Sequence, residues 1–159
     1  MIEKQITAKI TFYSIDELSE SEKMLIEAAK SAAKSAYAPY SGFQVGAAVL
    51  LGNGEVHIGN NQENAAFPSG ICAERVALFH AHAVRPDTPV FSMAVAACQN
   101  QLFVQEPVSP CGSCRQVLLE TERRFRQPIR VLMYGQNRVA VLESASDLLP
   151  FAFDDSALI

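Results

Sequence analysis

The hydrophobic pattern at the start of the chain predicts one strand followed by one helix. Apolar and polar residues alternate weakly over residues 5–12, which is typical of an edge strand. The motif Ser19-Glu20-Ser21-Glu22 has the pattern of a capping box, and apolar residues then recur at helical spacing as far as Tyr37. Because a proline disfavours helical conformation in the residue before it, we expect Pro39 to end this helix.

The middle of the chain predicts a hairpin, a second helix and a buried strand. Residues 45–51 are apolar, and the Asn53-Gly54 pair that follows is a strong signal for a tight hairpin turn. Residues 55–60 should therefore return antiparallel to the first strand. A second helix is expected from about Ile71 to Val84, and residues 89–97 form an apolar run typical of a strand buried on both faces.

The last third of the chain predicts a third helix and two more strands. Ser109-Pro110 offers a helix N-cap followed by proline at the first helical position, and the helix should end before Pro128. Residues 129–134 and 138–142 are predicted strands. The short turn between them cannot hold a crossover helix, so the two strands should be antiparallel. A short final helix is expected at residues 145–149.

The order of these elements predicts an α/β fold. A mixed sheet should form the middle of three layers, with helices on both faces and an antiparallel last strand. The length of 159 residues, with 49% hydrophobic and 19% charged residues, is that of one domain with a substantial core. We assign residues 19–159 to this single domain and residues 1–18 to an N-terminal extension that contains the edge strand.

Charge and hydropathy restrict the partners. The formal net charge of −4 argues against nucleic acid as a partner, because phosphate backbones are bound by clustered cations. The charged N-terminus lacks the pattern of a signal peptide, and no apolar run reaches the ~18 residues of a spanning helix, so we expect no membrane association. These features predict a cytoplasmic protein with reduced thiols and a small-molecule partner.

Three of the four cysteines fall at the starts of two predicted helices. Cys111 and Cys114 are spaced as Cys-x-x-Cys at the first turn of one, and Cys72 lies at the first turn of the other. Three thiolates that leave one position open are suited to a catalytic zinc ion, one per subunit. Two alternatives stay open: a redox dithiol of Cys111 and Cys114, or a closed structural zinc site with Cys98 as fourth ligand instead of a core thiol.

Glu74 gives the proposed metal site a catalytic character. Zinc deaminases combine a His-x-Glu or equivalent Cys-x-Glu motif with Pro-Cys-x-x-Cys, and the glutamate acts as general acid and base without binding the metal. Both halves are present, as Cys72-Ala73-Glu74 and as Pro110-Cys111-Gly112-Ser113-Cys114. Without the second half, Glu74 would be equally compatible with a carboxylate that only interacts with the helix dipole.

Longer segments resemble the cytidine deaminase family that acts on free nucleosides, in its three-cysteine form. The matching segments are AYAPYSGFQVGAAVL, NQENAAFPSGICAER and SPCGSCRQ, and the general layout extends over about residues 20–153. The resemblance implies a hydrolase of a cyclic amidine C–N bond. It would convert cytidine and 2′-deoxycytidine to uridine and 2′-deoxyuridine with release of ammonia, in pyrimidine salvage. A deaminase of another cytosine nucleoside, of the blasticidin S type, and a non-enzymatic zinc-binding domain are the alternatives.

The resemblance also implies the residues that bind substrate. Phe43 would pack against the pyrimidine, and Asn61 and Glu63 would hold the ribose hydroxyls. We expect the backbone of Ala73 to contact the pyrimidine near its carbonyl group. Phe67 stands where the family commonly has tyrosine, which removes one hydroxyl from the edge of the site.

Two further residues are implied around the site. A zinc ion with three thiolates has a formal charge of −1, and Arg75 follows Cys72 at a spacing that returns it to the cluster, where family members use arginine to hydrogen-bond the thiolates. Compact three-cysteine members are typically homotetramers with sites built across subunit contacts. Phe153 matches the phenylalanine with which one subunit closes the site of its neighbour.

Overall fold

The computed structural model describes residues 1–158 and contains three α-helices around one sheet. The helices are α1 (Glu20–Ala33), α2 (Ala73–Val84) and α3 (Gly112–Phe125). The strands are β1 (Thr11–Tyr13), β2 (Phe43–Leu51), β3 (Val56–Asn60), β4 (Val90–Gln99), β5 (Leu102–Phe103), β6 (Arg130–Tyr134) and β7 (Val139–Leu142). Among the described residues, no helix has both the length and the apolar character needed to cross a membrane.

The sheet is mixed and has seven strands. Their order is β1-β7-β6-β4-β2-β3, and the short β5 pairs with the end of β4. Among the described strands, β4 and β6 are the only pair that runs parallel, and α3 makes the crossover between them. The hairpin of β6 and β7 is antiparallel, as predicted. Gly54 adopts φ +86° in the β2–β3 turn, a left-handed conformation that suits glycine.

Helices cover both faces of the sheet. Helix α1 packs on one face with Leu25 and Ile26 against small residues such as Ala94. Helices α2 and α3 cover the other face, where Leu78 and Leu118 pack with residues such as Val95. Neighbouring residues of β4 thus point to opposite layers, as the strand geometry requires. The three-layer α/β prediction is confirmed.

One glycine sets the distance between α2 and the sheet. A Cβ atom on Gly59 of β3 would lie 2.4 Å from the backbone nitrogen of Ala77 in α2. Real Cβ contacts are never this short, so a larger residue would push the helix away from the strand. This close packing places the first turn of α2, which follows Cys72, against the β2–β3 hairpin.

Two helix boundaries differ from the prediction. Helix α1 ends at Ala33 and not at Tyr37, because the Tyr37 N–H donates to the carbonyl of Asn61 at 3.0 Å and so joins the β3–α2 connection. Helix α3 has Cys111 as its N-cap, so Ser109-Pro110 is not the helix start. The Ser109 hydroxyl instead accepts a hydrogen bond from Arg115 at 2.7 Å.

The N-terminal edge strand is shorter and later than predicted. It comprises Thr11–Tyr13, paired antiparallel with Val139–Val141, whereas residues 1–10 have no regular secondary structure and are exposed. Leu18 is buried in the core beneath α1. The division at residue 19 between an extension and a domain stays a prediction. The short final helix is a 3₁₀ turn at Ala145–Leu148.

Candidate active site

The starts of α2 and α3 bring three cysteines together. Cys72 is the N-cap of α2, Cys111 is the N-cap of α3, and Cys114 lies in the first turn of α3. The Cys72 and Cys111 Sγ atoms are 3.6 Å apart, as are those of Cys111 and Cys114, and all three lie within 4.8 Å of one another. Tetrahedral zinc with Zn–S bonds of about 2.3 Å requires sulfur atoms about 3.8 Å apart. The three thiols therefore fit a zinc ion.

The fourth cysteine lies outside this group. Cys98 is buried in β4, and its thiol donates to Oε1 of Gln44 at 3.7 Å. Burial raises the pKa of the Cys98 thiol, as expected for a core residue. The described metal-binding group contains Cys72, Cys111 and Cys114 without Cys98, so it does not form a closed four-thiolate site.

The electrostatics of the cluster favour a thiolate at Cys72. The neighbouring Cys114 thiol, together with Cys111 and Arg75, lowers the pKa of Cys72 to about 5 against the effect of burial. The contact with Cys72, together with burial, raises the pKa of Cys114. Nη2 of Arg75 lies 4.0 Å from the Cys72 Sγ atom, and the N-terminus of α2 adds partial positive charge.

Glu74 is a buried carboxyl group at the same place. It lies in the first turn of α2 with 4% of its surface exposed, and it lines a cleft together with Cys72 and Cys111. Burial raises the pKa of the Glu74 carboxyl above its usual value. A carboxyl group with a raised pKa next to a metal site can both accept and return a proton.

The cleft has an inner and an outer part. The inner part has a volume of about 370 Å³ and is lined by Phe43 and Val95 as well as by Glu74. The outer part, of about 490 Å³, is lined by residues that include Tyr40 and Phe67. Ser41, Asn61, Glu63 and Cys72 line both parts. Each volume is in the range of small-molecule sites.

Asn61 is bonded to the start of β2 through both ends of its amide. Its Oδ1 accepts a hydrogen bond from the Val45 N–H at 2.7 Å, and its Nδ2 donates to the Phe43 carbonyl at 3.0 Å. The amide therefore holds the strand that carries Phe43. One lone pair of Oδ1 and one N–H of Nδ2 are left for a ligand.

Glu63 is held by the turn before β2. Its Oε1 accepts a hydrogen bond from the Ser41 hydroxyl at 2.5 Å, and its Oε2 accepts from the backbone N–H groups of Tyr40 at 2.8 Å and Ser41 at 3.3 Å. These bonds, first that of the Ser41 hydroxyl, lower the pKa of Glu63. The cleft thus contains one ionised carboxylate, Glu63, and one carboxyl group that is biased towards its neutral form, Glu74.

The comparison with protein families agrees with this geometry. The model of the cytidine and deoxycytidylate deaminase zinc-binding region matches residues 19–126, which is more than half of the chain. The chain belongs to this family. The prediction of a zinc-dependent deaminase with one zinc ion is confirmed by the family match together with the cluster of Cys72, Cys111 and Cys114.

Individual deaminases are similar over most of their length. The cytidine deaminase of Halalkalibacterium halodurans is 42% identical over 134 residues, which cover 82% of this chain and 92% of the relative. That of Mycobacterium tuberculosis is 37% identical over 133 residues, covering 82% and 87%. The crystal structure of cytidine deaminase from Burkholderia pseudomallei superposes with a TM-score of 0.71 at 44% identity and covers 82% of this chain and 97% of that one.

The remaining predicted site residues lie around the deaminase cleft to different degrees. Phe43 is half-buried in its lining, whereas Ala73 is fully buried at the start of α2. Phe153 is 63% exposed, and its carbonyl accepts a hydrogen bond from Gln116 of α3 at 3.0 Å. It is not among the residues that line the described cleft of this chain.

Sequence reasoning missed two residues of the site region. Ser41 received no role, and its signals are its place in the matching segment AYAPYSGFQVGAAVL and its position directly before Gly42 and Phe43. Arg115 donates hydrogen bonds to the carbonyls of Pro110 at 2.8 Å and Leu148 at 3.0 Å. It therefore anchors the loop that leads into Cys111.

Proposed function

We propose that this deaminase hydrolyses cytidine and 2′-deoxycytidine to uridine and 2′-deoxyuridine with release of ammonia. The observation that carries the proposal is the buried Glu74 carboxyl group beside three clustered thiols in a cleft of nucleoside size. The relatives that match most of the chain are named cytidine deaminases, which supports the same reaction. The assignments of Phe43, Asn61 and Glu63 to substrate are part of this proposal.

Glu74 is the group that moves protons in the proposed reaction. Cys72, Cys111 and Cys114 would hold the zinc ion, which when bound would supply a water of lowered pKa as the nucleophile. Glu74 accepts the proton of the attacking water and transfers it to N3 of the cytosine ring. It then takes the proton of the hydroxyl group formed at C4 and passes it to the amine, which leaves as ammonia when the C4–N bond breaks. The raised pKa of the Glu74 carboxyl group suits it to hold the proton between these steps.

Arg75 offsets the negative charge of the ligand shell in this proposal. Three thiolates leave the zinc site with a formal charge of −1, which would weaken its effect on a bound water. The Arg75 guanidinium lies on the Cys72 side of the cluster, and its Nε is buried without a hydrogen-bond partner in the described structure. We assign it to draw electron density from the Cys72 sulfur.

The lining of the cleft favours a nucleoside over a nucleotide. The family description covers both cytidine and deoxycytidylate. The charged residues among the described lining are Glu63 and Glu74, and no lysine or arginine is among them. A 5′-phosphate carries about two negative charges and needs cations or several N–H donors to replace its hydration. We therefore assign free nucleosides as substrates.

We also propose a homotetramer in which Phe153 approaches the site of a neighbouring subunit. Aromatic side chains are enriched at subunit interfaces, and Phe153 and Phe67 are 63% and 77% exposed in the chain. Pyrimidine salvage in the cytoplasm completes the proposal, because a reducing compartment keeps the cysteines available for zinc. Sedimentation equilibrium gives the subunit number, and a Phe153→Ala variant tests the contribution of the neighbour.

A substrate panel tests the proposed reaction. The zinc-loaded protein is mixed with cytidine, 2′-deoxycytidine, cytidine 5′-monophosphate and blasticidin S, and both the loss of cytosine absorbance and the release of ammonia are measured. We expect turnover of the first two and at least about 100-fold lower kcat/KM for the nucleotide. Turnover of blasticidin S alone would contradict the substrate assignment, and no turnover of any compound would favour a non-enzymatic zinc domain.

A further inference from the structure

Ser41 links two residues that the proposed function assigns to different parts of the substrate. Its hydroxyl donates to Oε1 of Glu63 at 2.5 Å and accepts a hydrogen bond from the Phe43 N–H at 3.0 Å. Glu63 is assigned to the ribose and Phe43 to the pyrimidine. A single hydroxyl group therefore connects the proposed ribose contact with the backbone of the proposed base contact.

The turn that contains Ser41 has its own backbone closure. The Gly42 N–H donates to the Ala38 carbonyl at 3.0 Å, and Gly42 adopts φ +65°. The backbone of Glu63 also donates to the Tyr37 carbonyl at 2.8 Å. These bonds hold the turn without the Ser41 side chain, so the hydroxyl group is not needed to form it.

The acceptor sites of Glu63 are nearly all occupied. An ionised carboxylate offers about four acceptor sites, two on each oxygen. Oε2 accepts the N–H groups of Tyr40 and Ser41, and Oε1 accepts the Ser41 hydroxyl. This leaves one acceptor site, on the oxygen that Ser41 holds. Glu63 can therefore accept one substrate hydroxyl without giving up an existing bond.

We propose that Ser41 is a positioning residue that fixes Glu63 Oε1 to accept a single ribose hydroxyl and keeps this contact in register with Phe43. The inference rests on the proposed function. Without the Ser41 hydroxyl, Oε1 has no partner of its own and the carboxylate can turn away from the substrate. Glu63 must then be ordered when the substrate binds. The free-energy cost of this ordering weakens the recognition of hydroxylated nucleosides specifically.

The test compares variants that differ by the hydroxyl group alone. Ser41→Thr keeps the hydroxyl group, and Ser41→Val has nearly the same shape as the threonine variant but lacks the hydroxyl. Ser41→Ala removes the hydroxyl without adding a methyl group. Ser69→Ala is the matched control, because Ser69 ends the nearby turn Phe67–Ser69 and does not line the cleft. The zinc content and melting temperature of each variant are measured first.

The two substrates are cytidine and 2′,3′-dideoxycytidine, which lacks both hydroxyls that Glu63 could bind. For Ser41→Val and Ser41→Ala we expect kcat/KM with cytidine to fall about 10- to 100-fold, and that with the dideoxynucleoside to change less than about threefold. Ser41→Thr should stay within about threefold of the parent with both. In a Glu63→Gln background, adding Ser41→Ala should cause little further loss, because the two residues act as a pair.

Two results would overturn the inference. Equal losses with both nucleosides would mean that Ser41 only supports the local fold, and parent-like activity of Ser41→Val with cytidine would mean that its hydroxyl is not used. If Ser41→Ala fails to fold, the Thr and Val variants decide between these outcomes. A zinc-loaded parent protein that leaves cytidine unchanged would instead contradict the proposed function itself.

Discussion

The Sγ atoms of Cys72 and Cys111 lie 3.6 Å apart, although 39 positions separate the two residues along the chain. Each residue is the N-cap of a helix, and the two helices lie side by side on one face of the sheet. The metal site is therefore a product of the fold. Conditions that displace α2 from the sheet must also separate the thiols.

Removing a cluster cysteine should release zinc, whereas removing Cys98 should not. Cys72→Ala leaves two thiols, which is too few for a stable zinc site in this cleft. Cys98 lies in β4, where its thiol donates a hydrogen bond to Gln44. Cys98→Ala therefore removes a small core side chain and leaves the three zinc ligands in place. Metal analysis of the dialysed proteins should find about one zinc per chain in the parent and in Cys98→Ala, and a large loss in Cys72→Ala. Loss of zinc from Cys98→Ala would contradict the three-ligand site.

Replacing Glu74 by glutamine should stop turnover without releasing zinc. The amide keeps the size of the side chain but cannot take a proton from water, so we expect kcat with cytidine to fall by at least about 10²- to 10⁴-fold. Glu120→Gln on the exposed side of α3 is the matched control and should keep the parent rate. Parent-like turnover of a zinc-loaded Glu74→Gln protein would exclude Glu74 as the proton carrier.

Gly59→Ala should weaken both the fold and the metal site. The added methyl group would meet the Ala77 backbone at 2.4 Å, so α2 must move away from β3. We expect a loss of about 1–3 kcal/mol in the free energy of unfolding and weaker zinc retention against a chelator. Ile58→Ala is the control, because Ile58 is next to Gly59 in β3 and its side chain is 49% exposed. Parent-like zinc retention in Gly59→Ala would show that α2 tolerates the shift.

The ion pair between Arg130 and Glu22 should contribute to stability only above acidic pH. Burial opposes the ionisation of Glu22, but hydrogen bonds from Ser19 and Arg130 outweigh it and place the pKa of Glu22 below its usual value of 4.5. A carboxylate with a lowered pKa stabilises the folded state above the pKa of the unfolded chain, and this contribution disappears as the pH falls through the folded value.

Glu22→Gln should accordingly reduce the free energy of unfolding at pH 7, and the difference from the parent should shrink below about pH 4.5. Urea titrations at a series of pH values measure it. The control is Glu27→Gln, since the Glu27 carboxylate contacts Lys30 on the surface of the same helix. A difference that stays constant down to pH 3 would mean that Glu22 acts through something other than its charge.

The architecture was largely predictable because its patterns are local. The capping box at Ser19 is present, and so is the Asn53-Gly54 hairpin. Wrong boundaries arose where tertiary contacts overrode local preference. Tyr37 lies outside the helix because its N–H is hydrogen-bonded to Asn61 in the segment after β3. Ser109 accepts a hydrogen bond from Arg115 and does not cap a helix. No periodicity within the chain carries information about such contacts.

The candidate site was likewise predictable from the sequence only in part. The three cysteines and Glu74 could be selected from residue types and spacing, because zinc chemistry restricts which residues can serve. The role of Ser41 could not, since serine is common in turns and its value depends on Glu63, 22 positions away. The hydrogen bonds between the Asn61 amide and the backbones of Phe43 and Val45 could not be predicted for the same reason.

Stepwise reconstitution with zinc tests the central claim most directly. The protein is stripped with a chelator, titrated with zinc, and measured for bound metal and for cytidine turnover in the same samples. We expect turnover to be absent without metal, to rise in proportion to bound zinc and to level off at about one zinc per chain. Full turnover of cytidine by the metal-free protein, or a zinc-saturated protein that releases no ammonia from cytidine, would contradict the account.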